Sequence, residues 1–170
     1  RAAAEIEKNS YWSDKRHLLR KLCHRFGTDF NAHGIKRTFK YRSLNEKKQY
    51  LFTTNEIIKA LASRFPMCCL GFGAALGLRR DQDLIGHDDD LDILVALPQK
   101  EFPSLPAGLS RIEKHLRDNG FKIEGGFFSH LWVRHPDGER CDVFVGLIED
   151  DGRLSFYPSA RNSLATDILF

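Results

Sequence analysis

No apolar run in this 170-residue chain is long enough to cross a bilayer. The longest, Met67 to Leu78, holds 12 residues and is rich in glycine, whereas a spanning helix needs about 20. Cysteine is sparse and without pattern. Cys23, Cys68, Cys69 and Cys141 show no C-x-x-C spacing, and two of them are adjacent inside that apolar run. This argues against a zinc site or disulfide framework and for reduced core thiols in a cytoplasmic setting. Net charge is low, +3 from 26 basic and 23 acidic residues, too little to mark a specific nucleic-acid binder. Methionine is nearly absent. The chain opens on Arg1 and its one methionine is Met67, so a piece of a longer, multidomain chain is expected, with any signal or anchor upstream of it. The composition, 42% hydrophobic and 29% charged, suits one domain with a buried core and excludes a disordered chain.

The charge is unevenly spread. Residues 1–50 carry 13 basic and 5 acidic side chains, whereas 51–100 carry 5 and 7, and the remainder 8 and 11. Ser13 is placed to cap a helix in which Leu18, Leu19, Leu22, Cys23 and Phe26 recur at helical spacing, with Gly27 as its stop. Its polar face bears Lys15, Arg16, Arg20 and Lys21. Such a face is ordinarily solvated, but it also suits anionic lipid, glycan or a nucleotide tail, so peripheral contact with the inner face of the membrane is a further expectation. Lys36, Arg37, Lys40 and Arg42, interleaved with Phe39 and Tyr41, form a basic and aromatic strip suited to nucleic acid, a pyrophosphate or an anionic glycan alike. Residues 1–45 thus read as a basic helical extension, and 46–170 as the main domain.

In that domain the pattern predicts a helix from near Ser43, with Ser43 and Glu46 in capping-box spacing, to about Phe65 before Pro66. Met67–Leu70 reads as a buried strand, and Gly71-Phe72-Gly73 turns it into a short helix ending near Arg80. Asp90–Leu97 reads as a strand closed by Pro98, and a helix follows from about Leu109 to Asn119, stopped by Gly120. Phe121–Glu124, Phe128–Arg134, Arg140–Leu147 and Arg153–Tyr157 read as strands, the last three in antiparallel hairpins joined by His135-Pro-Asp-Gly138 and Asp150-Asp-Gly152. Trp132 is expected in the core. The fold class is α+β, or α/β in part: a mixed sheet of about five strands with packed helices.

The chemistry concentrates in Gly86-His-Asp-Asp-Asp-Leu-Asp-Ile-Leu-Val95. Four carboxylates within five positions repel one another, and an apolar strand begins at once, so protein charges alone stabilise the arrangement poorly and a divalent cation resolves it. Residues two apart on a strand share a face, so Asp88, Asp90 and Asp92 are expected to point one way, with Asp90 and Asp92 about 6–7 Å apart at Cα. An EF-hand loop shares the Asp88-x-Asp90-x-Asp92 opening but needs Gly where Ile93 stands and Glu where Gln99 stands. An inert, solvated acidic loop is the plain alternative. Asp142, alone in the apolar stretch Arg140-Cys-Asp-Val-Phe-Val-Gly146, is the candidate third ligand, or else pairs with a nearby arginine. His130 is a candidate contact to donor or acceptor, though a lone histidine on a strand is more often structural. Gly71-x-Gly73 opens a helix, where backbone N–H groups can receive a phosphate.

A hydrophobic strand, Gly-x-Gly, an acid-hydrophobic-acid strand and a later single acid form the pattern of the nucleotidyltransferase fold. Within it, Gly73-Ala-Ala-Leu-Gly-Leu-Arg-Arg80 followed by Leu84-Ile-Gly-His-Asp-Asp-Asp-Leu-Asp-Ile93 resembles the LicD and fukutin group. Asp142-Val-Phe144 and Asp167-Ile-Leu-Phe170 sit where that group places its next short motifs, and the resemblance covers residues 50–170 or so. It implies transfer of a phosphorylated group, such as phosphocholine or an alditol phosphate, from a CDP-linked donor to a glycan hydroxyl. By position, Asp90, Asp92 and Asp142 would be the catalytic acids holding Mg²⁺ or Mn²⁺, Gly73 would lie against donor phosphate, Arg80 would balance pyrophosphate charge, and Asp88 matches a further family acid. Asp142 is the candidate to take the proton of the attacking hydroxyl. Ala74 stands where the group generally has Ser or Thr, and His87 where it has Trp; both departures bear on the donor. A nucleotidyltransferase placing the nucleoside monophosphate on its acceptor, and a non-catalytic module of a larger glycan-synthesis protein, are the competing expectations.

Overall fold

The computed structural model describes residues 15–31 and 33–156; the expected cap Ser13, the strand end at Tyr157 and the Asp167 motif lie outside the described residues. The chain forms two compact units, Arg1–Ser43 with Ile85–Asp89, and Leu44–Leu84 with Asp90–Phe170.

In the first unit, residues 15–25 are helical (α1), and Gly27 follows at φ +64°, a left-handed turn that glycine takes without strain. Of the apolar positions expected to face inward, only Cys23 is fully buried. Leu18, Leu22 and Phe26 are exposed at 58%, 46% and 75%. A hairpin of β1 (Asp29–Asn31) and β2 (Gly34–Lys36) follows, pairing Phe30 with Ile35. It was not anticipated, since three-residue strands show too little alternation to read. Loop Ile85–Asp89 joins this unit through main-chain bonds: Phe39 N–H donates to the Asp88 carbonyl and Lys40 N–H to the Gly86 carbonyl, both at 2.8 Å.

The second unit is α+β, the class expected. Its mixed sheet has the order β3-β4-β7-β6-β5, with β8 added to β7. The strands are β3 (Cys68–Leu70), β4 (Asp92–Pro98), β5 (Lys122–Phe127), β6 (His130–Arg134), β7 (Arg140–Ile148) and β8 (Leu154–Ser155). Only β4 and β7 run parallel; every other pair is antiparallel. The sheet has six strands, in keeping with the expected mixed sheet of about five.

Three helices complete the unit: α2 (Leu44–Ala62), α3 (Phe72–Asp81) and α4 (Leu105–Asp118). Helix α2 stops short of Phe65, its last turn closing when Phe65 N–H donates to the Leu61 carbonyl at 2.7 Å. Helix α4 starts a turn earlier than the periodicity predicts: Ser104 caps it, accepting from Ala107 N–H at 3.4 Å, and Pro106 is tolerated in the first turn, where no N–H partner is needed. Gly108 lets α4 lie close on the sheet, since a Cβ there would meet Leu97 Cδ1 at 2.6 Å. Ile57, Leu61, Ile112 and Leu116 bury themselves with Ile93, Val95, Val143, Val145 and Val133, the side chains of one sheet face. The opposite face carries Leu94 and Ala96 packed with Leu154, Cys69, Phe144 and Phe156.

Candidate functional site

The sheet builds the site by register. Asp92, the first residue of β4, pairs with Asp142 in β7, and partners in a parallel ladder present their side chains to the same face. Strand β4 begins at Asp92, not Asp90, so the alternation expected from Asp88 through Asp92 does not operate: Asp90 precedes the ladder, and Asp88 lies in the loop of the first unit. Asp90 nonetheless converges with the pair. Oxygens of Asp90, Asp92 and Asp142 all lie within 4.8 Å of one another, the first two half-buried and Asp142 buried.

Tyr50 holds the ends that carry these acids. From α2, its buried hydroxyl donates to the Arg140 carbonyl and accepts from Leu91 N–H at 3.3 Å. It thereby ties the first residue of β7 to the residue between Asp90 and Asp92, and burial pushes its phenol far above the ordinary tyrosine range. Nothing in the local pattern singles out Tyr50, which reads as one more apolar position on a helix. Arg140 was legible, being two residues before Asp142 and so on its face; its Nε lies 3.6 Å from Asp142 Oδ1.

His130 and Trp132 sit on that same face of β6. Trp132, expected in the core, is half-buried. Leu131 and Val133 take the inward positions, leaving Trp132 opposite Asp142 in the ladder, with the Arg140 guanidinium 5.3 Å from its ring. Trp132 Nε1–H donates to His130 Nε2 at 3.1 Å, and Ser129 Oγ lies 3.0 Å from Nδ1. His130 Nε2 is therefore an acceptor, and the proton of the neutral ring is on Nδ1. Burial favours that neutral form by lowering the imidazole below its ordinary value, against the pull of Asp142, whose Oδ2 is 3.6 Å from Nε2.

Strand β3 leads into the glycine turn beside this face. Gly71 N–H donates to the Asp92 carbonyl at 2.9 Å, and a Cβ on Gly71 would stand 3.7 Å from that of Asp92. Phe72 follows at φ +42°, where a bulky residue is strained by about 1–3 kcal/mol; its ring packs on Phe144 with centroids 4.8 Å apart. Gly73 lies in the first turn of α3, and Ala74 beside it is buried. Arg80 is in the last turn, about 10 Å along the axis from Gly73, where its guanidinium pairs with Asp81 at 2.6 Å. In the first unit, Asp88 is half-buried with its carboxyl raised above the usual range by burial, and it accepts from Asp89 N–H at 3.1 Å.

The donor set suits a hard divalent cation. Such ions hold oxygens at about 2.0–2.6 Å, so two ligands of one ion lie up to roughly 5 Å apart, and three carboxylates leave positions for water or phosphate. Nitrogen or sulfur donors, which would favour zinc, do not enter this trio.

No protein-family model matches the chain, and no curated protein matches it significantly. Among solved structures it is similar to the CdnE cyclic dinucleotide synthase of Elizabethkingia meningoseptica with GTP and Apcpp, at 13% identity and TM-score 0.42 over 70% of this chain and 49% of that one. It is also similar to Cid1, a protein with RNA terminal uridylyl transferase activity, at 15% identity and TM-score 0.46 over 77% of this chain and 37% of that one. The chain thus spans about half the length of the first and under two fifths of the second. Among the described residues, no helix is long and apolar enough to cross a membrane.

Proposed function

We propose that this chain is a metal-dependent transferase of phosphorylated groups, moving a phosphocholine- or alditol-phosphate-type group from a CDP-linked donor to a glycan hydroxyl. The observation that carries the reading is the convergence of Asp90, Asp92 and Asp142 within 4.8 Å on one end of two parallel strands. The choice of donor and acceptor rests on the resemblance of Gly73–Arg80 and Leu84–Ile93 to the LicD group.

Asp90, Asp92 and Asp142 would hold Mg²⁺ or Mn²⁺. When bound, such a cation offsets pyrophosphate charge and the charge developing on the leaving nucleoside monophosphate. The protein's share is positional. Tyr50 fixes the backbone on either side of the acids, so their oxygens need little reorganisation. The glycine turn bonded to Asp92 presents the first-turn N–H groups of α3 to donor phosphate. Neutral His130 and Trp132 form an uncharged wall beside Asp142, and Asp142, flanked by Arg140, is the group assigned to receive the proton of the attacking hydroxyl.

The test is product analysis with CDP-choline, CDP-ribitol and CDP-glycerol, a glycan acceptor and Mg²⁺ or Mn²⁺. Release of CMP that requires the metal and is lost in Asp92→Asn supports the reading. Release of pyrophosphate from a nucleoside triphosphate instead assigns nucleotidyl transfer, and turnover of neither class points to a non-catalytic module.

A further inference from the structure

The first unit contains a cavity of about 500 Å³ lined by basic and aromatic side chains, within the size range of small-molecule sites. We infer that it is a binding site for a phosphate- or pyrophosphate-bearing small molecule. Three separate segments of that unit contribute to its wall: Arg20 and His24 from α1, Asn31, Lys40 and Tyr41 from the hairpin and the turn after it, and His87 from the returning loop.

The cations are held for an outside partner. Arg20 forms no ion pair with any described residue, and Lys40 Nζ lies 5.0 Å from the centroid of the Tyr41 ring, a cation placed on an aromatic face rather than on a carboxylate. Asp29 is the one acid in the wall, and it is engaged internally. Its Oδ2 accepts from Thr38 Oγ1 at 2.7 Å and its Oδ1 from the Tyr41 hydroxyl at 3.4 Å. Because Tyr41 spends its proton on Asp29, His24 Nδ1, 2.8 Å from the same hydroxyl, is the donor in that contact. The chain Asp29–Tyr41–His24 thus fixes the aromatic wall and one imidazole in a single orientation. Two cations without a carboxylate partner, on the wall of a cavity of this size, select a compact anion with several acceptor oxygens, which is the chemistry of phosphate esters. The basic and aromatic strip and the basic face of α1, which serve no purpose in the metal site, both supply this wall.

The inference stands apart from the reading of Asp90, Asp92 and Asp142, and the test separates them. Calorimetric titration of the whole chain with inorganic pyrophosphate in EDTA, then with CMP and with ribose 5-phosphate, measures binding without metal; the two esters show whether a nucleotide or a sugar phosphate is preferred. Arg20→Gln and Lys40→Gln should each weaken pyrophosphate at least tenfold, whereas Asp92→Asn should leave it unchanged. Both cations are exposed, so melting temperature serves as a check that the variants fold. Binding that survives both cation substitutions, binding lost in Asp92→Asn, or no binding by wild type overturns the inference.

Discussion

Asp92 lies directly opposite Asp142 in the parallel ladder of β4 and β7, so two carboxylates share one face at neighbouring-strand distance. Without a cation this is a liability to folding, because like charges brought together oppose the compact state. In EDTA, Asp142→Asn should therefore melt higher than wild type by about 2–4 °C, the shift expected from about 1 kcal/mol in a chain of this size. With saturating Mn²⁺ the order should reverse. Differential scanning calorimetry in the two buffers checks it, and an unchanged order contradicts the argument.

Tyr50→Phe removes one hydroxyl and leaves both Leu91 N–H and the Arg140 carbonyl without their side-chain partner. A loss of about 1–3 kcal/mol is expected from buried polar groups deprived of a bond. Urea unfolding measures it. A loss below about 0.5 kcal/mol would show that the hydroxyl does not anchor the two strand starts.

Gly138→Ala places a Cβ 2.5–2.7 Å from three atoms of buried Thr53. The turn from β6 to β7 closes with Gly138 N–H donating to the His135 carbonyl at 3.1 Å, so the backbone has little room to retreat. Overpacking of this kind costs about 1–3 kcal/mol, read from the urea midpoint. A neutral substitution would mean that α2 does not press on this turn.

Glu124 is held at about 2, well below its ordinary 4.5, first by its hydrogen bond to Arg134 and further by Lys122. A depressed folded-state value means that its contribution is fully present above pH 4.5 or so and is lost as pH falls towards 2. The stability difference between wild type and Glu124→Gln should be constant above about pH 5 and shrink below it. Solvent screening keeps the effect small. A difference independent of pH contradicts the assignment.

Burial pushes the Cys68 thiol up to about 11, with neighbouring Cys69 adding to the rise; Cys141 is buried and raised further. At pH 8 iodoacetamide should therefore label Cys68 far more slowly than a free cysteine, and Cys141 only on unfolding. Mass spectrometry of a timed reaction decides it, and rapid labelling of Cys68 contradicts the burial described.

Much of the candidate site was legible because it rests on local pattern. Pro98 ends β4, and a lone acid in the apolar stretch 140–146 marks Asp142. What was not legible depends on partners distant in sequence. The register of Asp92 against Asp142 joins strands 50 residues apart in the chain, and no local periodicity encodes it. The same holds for Tyr50, whose role comes only from what its hydroxyl meets. Trp132 was expected in the core, whereas the alternation Leu131-Trp132-Val133 places it on the other face. The early start of α4 rests on the Ser104 cap, with Pro106 in the first turn and Gly108 at a close helix–sheet approach, where the apolar periodicity gives no signal.

The central claim is that Asp90, Asp92 and Asp142 together hold one divalent cation. Titration of Mn²⁺ into the metal-free protein by isothermal calorimetry tests it most directly. The account predicts saturable binding in wild type, weakened at least tenfold by Asp92→Asn and by Asp142→Asn, each of which removes one charged ligand. Absence of binding heat in wild type at every concentration, or equal affinity in all three proteins, would contradict it.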